Sequence, residues 1–416
     1  MRRGSPARRT SAQHWAVAFA LGAAALLTPP AAHPATAQPA APSLIRPVPF
    51  PEPWGPFTPS VRTYVLEDRP QPGKGGTQEA SRPLLVRLWY PSDGGGTPRA
   101  YMHPAVADAW RATLPAADGF ETAVANHARV DAPLATARRR WPVLLFSHGR
   151  SFPVDNYQLC LEHLTSLGWV VAAISHPHEE ALTVFPDGRR LAFAGPTWDE
   201  PEERGEVLTG VVDKLVGDAG RVLDHLENLE AGPSPFHGHL DLDRGVGYLG
   251  HSLGGAAAAW TLQRDPRVVA AASWEGQVYR EEDRPLRPRG PLLYLVGGAN
   301  RRELAGHHYR AGITGGPVFE AILEGAWHAS FGDLLHVYRR YADADWLRRH
   351  RREMDPLRAN QISNDLLHEF FSHALSGTPL DLLSPDSSDE DESPATWDYP
   401  EVELRVFANY GPTYPP

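Results

Sequence analysis

The chain has 416 residues, of which 42% are hydrophobic and 22% are charged. These fractions are those of an ordinary globular protein, and they exclude a wholly disordered chain and a bundle of membrane helices. The formal net charge of −10 argues against a nucleic-acid-binding protein, which normally carries a basic face.

The first 37 residues have the layout of a secretory signal peptide. Arginines near the start precede an apolar run at residues 15–27, and residues 35–37 provide small side chains for cleavage. This apolar run is too short to span a bilayer. The sequence therefore predicts export with cleavage near Ala37. The pair Arg8 and Arg9 leaves twin-arginine export open as the alternative to the general secretory route.

Residues 38–60 are rich in proline and are expected to form an extended arm on the surface. Candidate strands follow at residues 62–66 and 84–90. Apolar residues at helical intervals then indicate an amphipathic helix near 101–114, and residues 101–140 are the candidate for a small cap or lid. The apolar face with Trp110 would pack on the core or, as the alternative, touch a lipid surface transiently.

From residue 141 onward, short apolar runs alternate with helical segments. The runs lie at residues 142–146, 169–174, 245–249, 268–274, 291–296 and 318–323. Such runs without alternation are typical of parallel strands buried on both faces. The sequence therefore predicts an α/β domain over residues 61–380, with a mostly parallel central sheet flanked by helices. An acidic, proline-rich tail is expected over 381–416.

The strongest chemical signal is the G-x-S-x-G motif at residues 250–254. It follows a predicted strand and precedes a predicted helix, which is the context of the nucleophile elbow in α/β-hydrolases. The glycines permit a turn sharp enough to expose a hydroxyl group above the sheet. The start of the helix places N–H groups near developing negative charge. Ser252 is therefore the predicted nucleophile.

A serine hydroxyl needs a histidine base and an acid that orients it, and in this fold the chain order is serine, acid, histidine. His328 follows the last predicted strand by a short loop, which would return its imidazole over the elbow. The acid is Glu275 or Glu303, each of which follows a predicted strand. We favour Glu275 because Gly276 allows a tight exit from its strand, whereas Glu303 has arginine-rich surroundings.

An oxyanion hole is expected at the loop that follows the first of the apolar runs. The predicted donors are the backbone N–H groups of Arg150 and Leu253. His148, just before this loop, is assigned a structural hydrogen-bonding role. His176 and His178 have the two-residue spacing of some metal ligands, but no HExxH-type pattern accompanies them. We therefore expect neither a metal nor a cofactor.

Taken together, these segments resemble the platelet-activating-factor acetylhydrolase family, the secreted, lipoprotein-associated type of phospholipase A2, and its bacterial relatives. The matching segments lie at residues 84–91, 143–149, 167–173, 250–255 and 327–333. The chain departs from the family in carrying Glu275 where the family has an aspartate. The resemblance implies a metal-independent α/β-hydrolase that cleaves short or oxidised acyl chains from phospholipid.

Two other functions stay open. Relatives of this architecture also hydrolyse simple esters and polyesters, so a general carboxylesterase or polyester hydrolase is one alternative. A catalytically silent binding protein on a hydrolase scaffold is the other, and the intact Ser252 and His328 argue against it. We expect a small-molecule or lipid ester as the substrate and no nucleic-acid partner. The sequence does not indicate an oligomeric state.

Overall fold

The computed structural model describes residues 46–67, 82–111, 119–197, 203–277, 286–300, 313, 316–342, 344–350, 353–383 and 399–407. The predicted signal peptide, the beginning of the proline-rich arm and Glu303 lie outside the described residues.

The strands, in chain order, are β1 (Val48–Pro49), β2 (Thr58–Leu66), β3 (Leu84–Ser92), β4 (Thr97–Pro98), β5 (Val124–Ala125), β6 (Arg129–Val130), β7 (Trp141–Ser147), β8 (Val170–Ser175), β9 (Leu182–Val184), β10 (Arg190–Ala192), β11 (Leu240–Asp241), β12 (Val246–His251), β13 (Val268–Trp274), β14 (Leu292–Gly297), β15 (Val318–Leu323) and β16 (Val402–Phe407). The helices are α1 (Pro104–Arg111), α2 (Gln158–Ser166), α3 (Arg204–Ala231), α4 (Leu253–Arg264), α5 (Leu334–Tyr341), α6 (Ala344–Arg349) and α7 (Pro356–Ser376). Short 3-10 turns occur at Phe120–Thr122, Val154–Tyr157, Gly298–Asn300 and His328–Phe331.

One large mixed sheet forms the centre of the described chain. Its strand order is β16-β15-β14-β13-β12-β7-β8-β3-β2-β6-β4. The strands from β8 to β15 along this order run parallel to one another. Strand β3 pairs antiparallel with both β8 and β2, and β16 pairs antiparallel with β15. The prediction of a mostly parallel sheet is confirmed, and the parallel strands are those that the apolar runs predicted.

Helices cover both faces of this sheet. Along β7, Val143 and Leu145 belong to the core shared with α3 and α4. Leu144 and Phe146 alternate with them and belong to the core shared with α2 and α7. Because side chains of a strand point alternately to opposite faces, a strand covered on both sides must be apolar at every position. This is the reason that β7 reads as an unbroken apolar run.

Helix α1 packs inward. Val106, Ala107 and Trp110 are buried in a third apolar cluster, together with Phe50 and Phe120. Only 6% of Trp110 is exposed, so this face of the candidate cap contacts protein rather than solvent. No helix of the described residues is long and apolar enough to cross a membrane.

The C-terminal segment differs from the expected tail over 381–416. Val402–Phe407 forms β16 and pairs antiparallel with β15. Val402, Leu404 and Val406 pack against the core, while Glu403 and Arg405 between them are charged. Alternation of this kind is the pattern of a strand with one covered face, but it is short and lies between acidic and proline-rich residues that are typical of a tail.

Candidate active site

Ser252 lies at a sharp turn between β12 and α4, where it is the N-cap residue of the helix. Its φ is 55° and its ψ is −117°, a conformation that is costly for any residue other than glycine. A Cβ atom at Gly250 would lie 2.1 Å from the carbonyl oxygen of Gly254, so the turn closes this tightly only with glycine there. The structure therefore has the strained strand-to-helix turn that the motif predicts.

His328 and Glu275 are in hydrogen-bond contact. The Nδ1 atom of His328 lies 2.8 Å from Oε2 of Glu275. The other carboxylate oxygen of Glu275 accepts the N–H group of Gly297 at 2.6 Å. A carboxylate oxygen accepts hydrogen bonds, so this contact places the hydrogen on Nδ1 of His328. The structure therefore brings into contact the two residues that the sequence analysis paired.

The end of β13 places Glu275 beside the elbow. The N–H group of Ser252 donates to the carbonyl oxygen of Trp274 at 2.8 Å. Gly276 lies so close that a Cβ atom there would be 2.6 Å from the carbonyl oxygen of Ser252. Glu275 itself has a φ of 51°, a second strained backbone position at this site. The rival acid, Glu303, lies outside the described residues.

The loop after β7 lies directly against the elbow. A Cβ atom at Gly149 would be 3.3 Å from Cβ of Ser252. The carbonyl oxygen of Gly149 accepts the N–H of Phe152 at 3.0 Å and Nδ1–H of His148 at 2.7 Å. Because the peptide group is planar, holding this carbonyl fixes the direction of the Arg150 N–H group. Leu253, the other predicted donor, is the first residue of α4.

His148 has the hydrogen-bonding environment of a structural residue. Its Nε2 accepts the backbone N–H of His176 at 3.1 Å, while Nδ1 is bonded to the Gly149 carbonyl. Burial lowers the pKa of His148 to about 3, and the nearby His176 acts in the same direction. The ring is therefore neutral, with one nitrogen accepting and the other donating.

A second serine-histidine-aspartate cluster lies beneath this loop, and sequence reasoning missed it. Ser147 Oγ lies 2.8 Å from Nε2 of His176 and 2.7 Å from the hydroxyl of Tyr248. His176 Nδ1 lies 2.7 Å from Asp218, which also bonds the guanidinium group of Arg82. Ser147 and His176 are 0% exposed, whereas Ser252 is 9% exposed. A substrate carbonyl has no approach to Ser147, so this cluster is a buried structural network.

The histidine pair at 176 and 178 is engaged with protein groups. His176 bonds Asp218, and Nδ1 of His178 lies 3.2 Å from the carbonyl oxygen of Ala192. Among the residues that the structure describes, no group of three or more histidine, cysteine, aspartate or glutamate side chains is arranged to hold a metal ion.

Comparisons with known proteins give the following similarities. A family model described as platelet-activating factor acetylhydrolase, isoform II, matches residues 77–189. A probable 1-alkyl-2-acetylglycerophosphocholine esterase from Arthroderma benhamiae is 28% identical over 138 residues, which are 33% of this chain and 32% of that protein. A platelet-activating factor acetylhydrolase from Cavia porcellus is 29% identical over 167 residues, which are 35% of this chain and 38% of that protein. The alignments therefore span about a third of the length of these relatives.

A solved ferulic acid esterase from Streptomyces cinnamoneus shares the architecture. It superimposes with a TM-score of 0.66 at 23% identity and covers 87% of this chain and 99% of that chain. Similarity at this level establishes the fold and not the function. The family match includes the loop with Arg150 and ends before Ser252. The chain thus has the α/β-hydrolase fold, and its resemblance to the platelet-activating factor acetylhydrolase family is confirmed over residues 77–189.

Proposed function

We propose that this protein is a carboxylic ester hydrolase in which Ser252 is the nucleophile, His328 the general base and Glu275 the acid that orients His328. The observation that carries the proposal is the 2.8 Å contact between His328 and Glu275 at the sheet edge that holds the strained Ser252 turn. These are the groups that acyl transfer needs, in the chain order found in α/β-hydrolases.

The reaction follows from the hydrogen positions. Glu275 holds the hydrogen on Nδ1 of His328, so Nε2 accepts the proton of Ser252 as Oγ attacks the ester carbonyl carbon. The carbonyl oxygen becomes negative and receives the N–H groups of Arg150 and Leu253, each such donor being worth about 3–4 kcal/mol. His328 then protonates the leaving alcohol. Water repeats the sequence on the acyl-enzyme and releases the carboxylic acid.

The proposed substrate class is an ester with a short or oxidised acyl chain, most naturally on a phospholipid. The support is the family match over residues 77–189 and the names of the relatives, one a probable 1-alkyl-2-acetylglycerophosphocholine esterase. A general carboxylesterase or polyester hydrolase is the alternative. Rates on a series of acyl chain lengths, each offered on a phospholipid and on a simple alcohol, distinguish the two.

Covalent labelling tests the proposal directly. A fluorophosphonate probe should label the wild-type protein once, on the peptide that contains Ser252, and Ser252→Ala should abolish labelling and ester turnover without unfolding the protein. His328→Ala should lower kcat by a similar factor, on the order of 10⁴ or more, because triad members act as a unit. A wild-type protein that is not labelled contradicts the proposal and favours a silent binding protein, whereas labelling at another serine contradicts the assignment of Ser252 as the nucleophile.

We also propose that the protein is exported. The support is the sequence of residues 1–37, with its basic start, apolar run and small residues. Protein recovered from outside the cytoplasm should begin near residue 38 when its N terminus is sequenced. Recovery of a chain that keeps residues 1–37 contradicts this expectation.

A further inference from the structure

Two buried residues that the proposed mechanism does not use connect the three parts of the site. The loop after β7, which carries the predicted oxyanion donor Arg150, is called the oxyanion loop below. The backbone N–H of Gly149 in this loop lies 3.1 Å from the hydroxyl of Tyr157. That hydroxyl lies 2.8 Å from Nδ1 of His251, the residue before the nucleophile. Nε2 of His251 lies 2.9 Å from the backbone carbonyl oxygen of His328. We name this chain of contacts the Tyr157–His251 relay.

The direction of every hydrogen bond in the relay is determined. A backbone N–H only donates, so the Tyr157 oxygen accepts from Gly149. A carbonyl oxygen only accepts, so Nε2 of His251 carries the hydrogen that His328 accepts. In a neutral ring the other nitrogen, Nδ1, then accepts the hydroxyl hydrogen of Tyr157. Each donor meets one acceptor, and the chain closes without a mismatch.

The relay needs a neutral histidine and a protonated tyrosine, and burial maintains both. Tyr157 is 0% exposed and His251 is 1% exposed. Burial holds the pKa of His251 well below its ordinary value, and the neighbouring His328 lowers it further. Burial also raises the pKa of Tyr157. A second proton on Nδ1 of His251 would face the tyrosine hydrogen, so the relay would break.

Packing holds the two rings in place independently of the hydrogen bonds. The Tyr157 ring lies 4.8 Å from the ring of Phe146 and stacks on Trp274 at 6.4 Å. The His251 ring meets Phe152 edge to face at 5.5 Å. Removing only the hydroxyl of Tyr157 therefore leaves the rings packed and cuts the connection between Gly149 and His251.

We propose that Tyr157 and His251 are positioning residues that fix the oxyanion loop and the backbone of His328 relative to Ser252. This inference rests on the ester hydrolase proposed above. Glu275 holds the imidazole ring of His328, while His251 holds its backbone, so that the base is fixed at two points. Gly149 forms the peptide bond that carries the Arg150 N–H, so the same relay also holds the oxyanion donor. A displacement of about 1 Å at such a site costs about 100-fold in rate.

The test compares variants by kcat per active site, with active sites counted by fluorophosphonate labelling and a soluble short-chain ester as substrate. Tyr157→Phe should lower kcat about 10- to 100-fold and leave KM within about twofold, since the lost contacts act on the transition state. His251→Leu should do the same. His251→Gln should recover much of the rate because an amide offers one acceptor and one donor.

Tyr90→Phe is the matched control. Tyr90 is also buried, and its hydroxyl donates to the carbonyl oxygen of Ala132 at 2.7 Å, away from the site. The Tyr90→Phe variant should have a lower free energy of unfolding than the wild type and an unchanged kcat. A Tyr157→Phe variant with wild-type kcat per active site, or a His251→Gln variant no faster than His251→Leu, would overturn the relay. An inactive, unlabelled wild type would instead refute the ester hydrolase itself.

Discussion

His328 and Glu275 are separated by 53 residues in the chain, and their contacting atoms lie 2.8 Å apart. The sheet produces this contact because β13, β14 and β15 are parallel neighbours whose carboxyl ends share one edge. Glu275 follows β13, His328 follows β15, and Gly297 at the end of β14 donates to the second oxygen of the carboxylate. Glu275 therefore contacts the end of β14 through one carboxylate oxygen and His328, which follows β15, through the other.

Replacing this acid should slow the reaction and leave substrate binding largely unchanged. Glu275→Gln should lower kcat by about 10²–10⁴ because the amide NH₂ group facing Nδ1 favours the wrong tautomer of His328. The amide oxygen still accepts the Gly297 N–H, so folding should be preserved. Steady-state kinetics measure the effect, and Glu303→Gln is the control with near wild-type rates. If Glu303→Gln instead lowers kcat and Glu275→Gln does not, then Glu303 is the acid that orients His328.

The buried Ser147 cluster should contribute to stability and not to chemistry. Ser147→Ala leaves the hydroxyl of Tyr248 and Nε2 of His176 without their partner, so the free energy of unfolding should fall by about 1–3 kcal/mol. Urea unfolding measures this loss, and fluorophosphonate labelling should still reach one probe per chain. Loss of labelling in a folded Ser147→Ala protein would mean that the wrong serine has been assigned.

Trp110 should act through packing rather than through a lipid surface. Its ring lies 5.1 Å from Phe152, which in turn packs on His251. Trp110→Ala should lower the free energy of unfolding by about 3–5 kcal/mol, and the rate should fall equally on a soluble ester and on the same ester in vesicles. Trp54→Ala is the control variant. Because 56% of the Trp54 side chain is exposed, this substitution should change the free energy of unfolding little. A loss confined to vesicles would favour lipid contact by Trp110.

Glu180 should make stability depend on pH. Burial raises the pKa of this carboxyl from 4.5 to about 7, against the opposing charge of Arg87. Between these values the folded protein binds a proton that the unfolded chain does not, so the stabilisation is complete below pH 4.5 and is lost as pH rises through 7. Relative to Glu180→Gln, the wild type should lose about 1–3 kcal/mol between pH 5 and pH 8. Urea unfolding at both pH values provides the measurement, and parallel profiles would contradict the assignment.

The sequence was most informative where the structure depends on local backbone geometry. The turn at Ser252 follows from glycines within two residues of it, and the parallel strands follow from apolar runs that are continuous in the chain. The contact of Glu275 with His328 was reached less directly, from the ends of strands that share an edge. The choice over Glu303 depended on Gly276, next to Glu275, and on the arginines around Glu303.

The remaining features depend on contacts between distant parts of the chain. Tyr157 and His251 are 94 residues apart, and no spacing marks a tyrosine as the partner of a histidine. The Ser147 cluster draws its aspartate from the middle of α3, where Asp218 reads as one more polar residue of a long helix. Such pairs are visible only in the tertiary structure, because a hydrogen bond requires two atoms to be close in space and sets no fixed spacing between the two residues along the chain.

Strand β16 has a practical consequence for how the protein is produced. It covers the outer side of β15, all six of whose residues are buried. Just before β16, the backbone carbonyl oxygen of Glu401 accepts the N–H of Glu324 at 2.8 Å. A gene shortened to stop at residue 383 would leave β15 with unpaired backbone groups and apolar side chains, which is a template for intermolecular association. Such a product should accumulate in inclusion bodies, so an affinity tag belongs after residue 407 and not in place of the last strand.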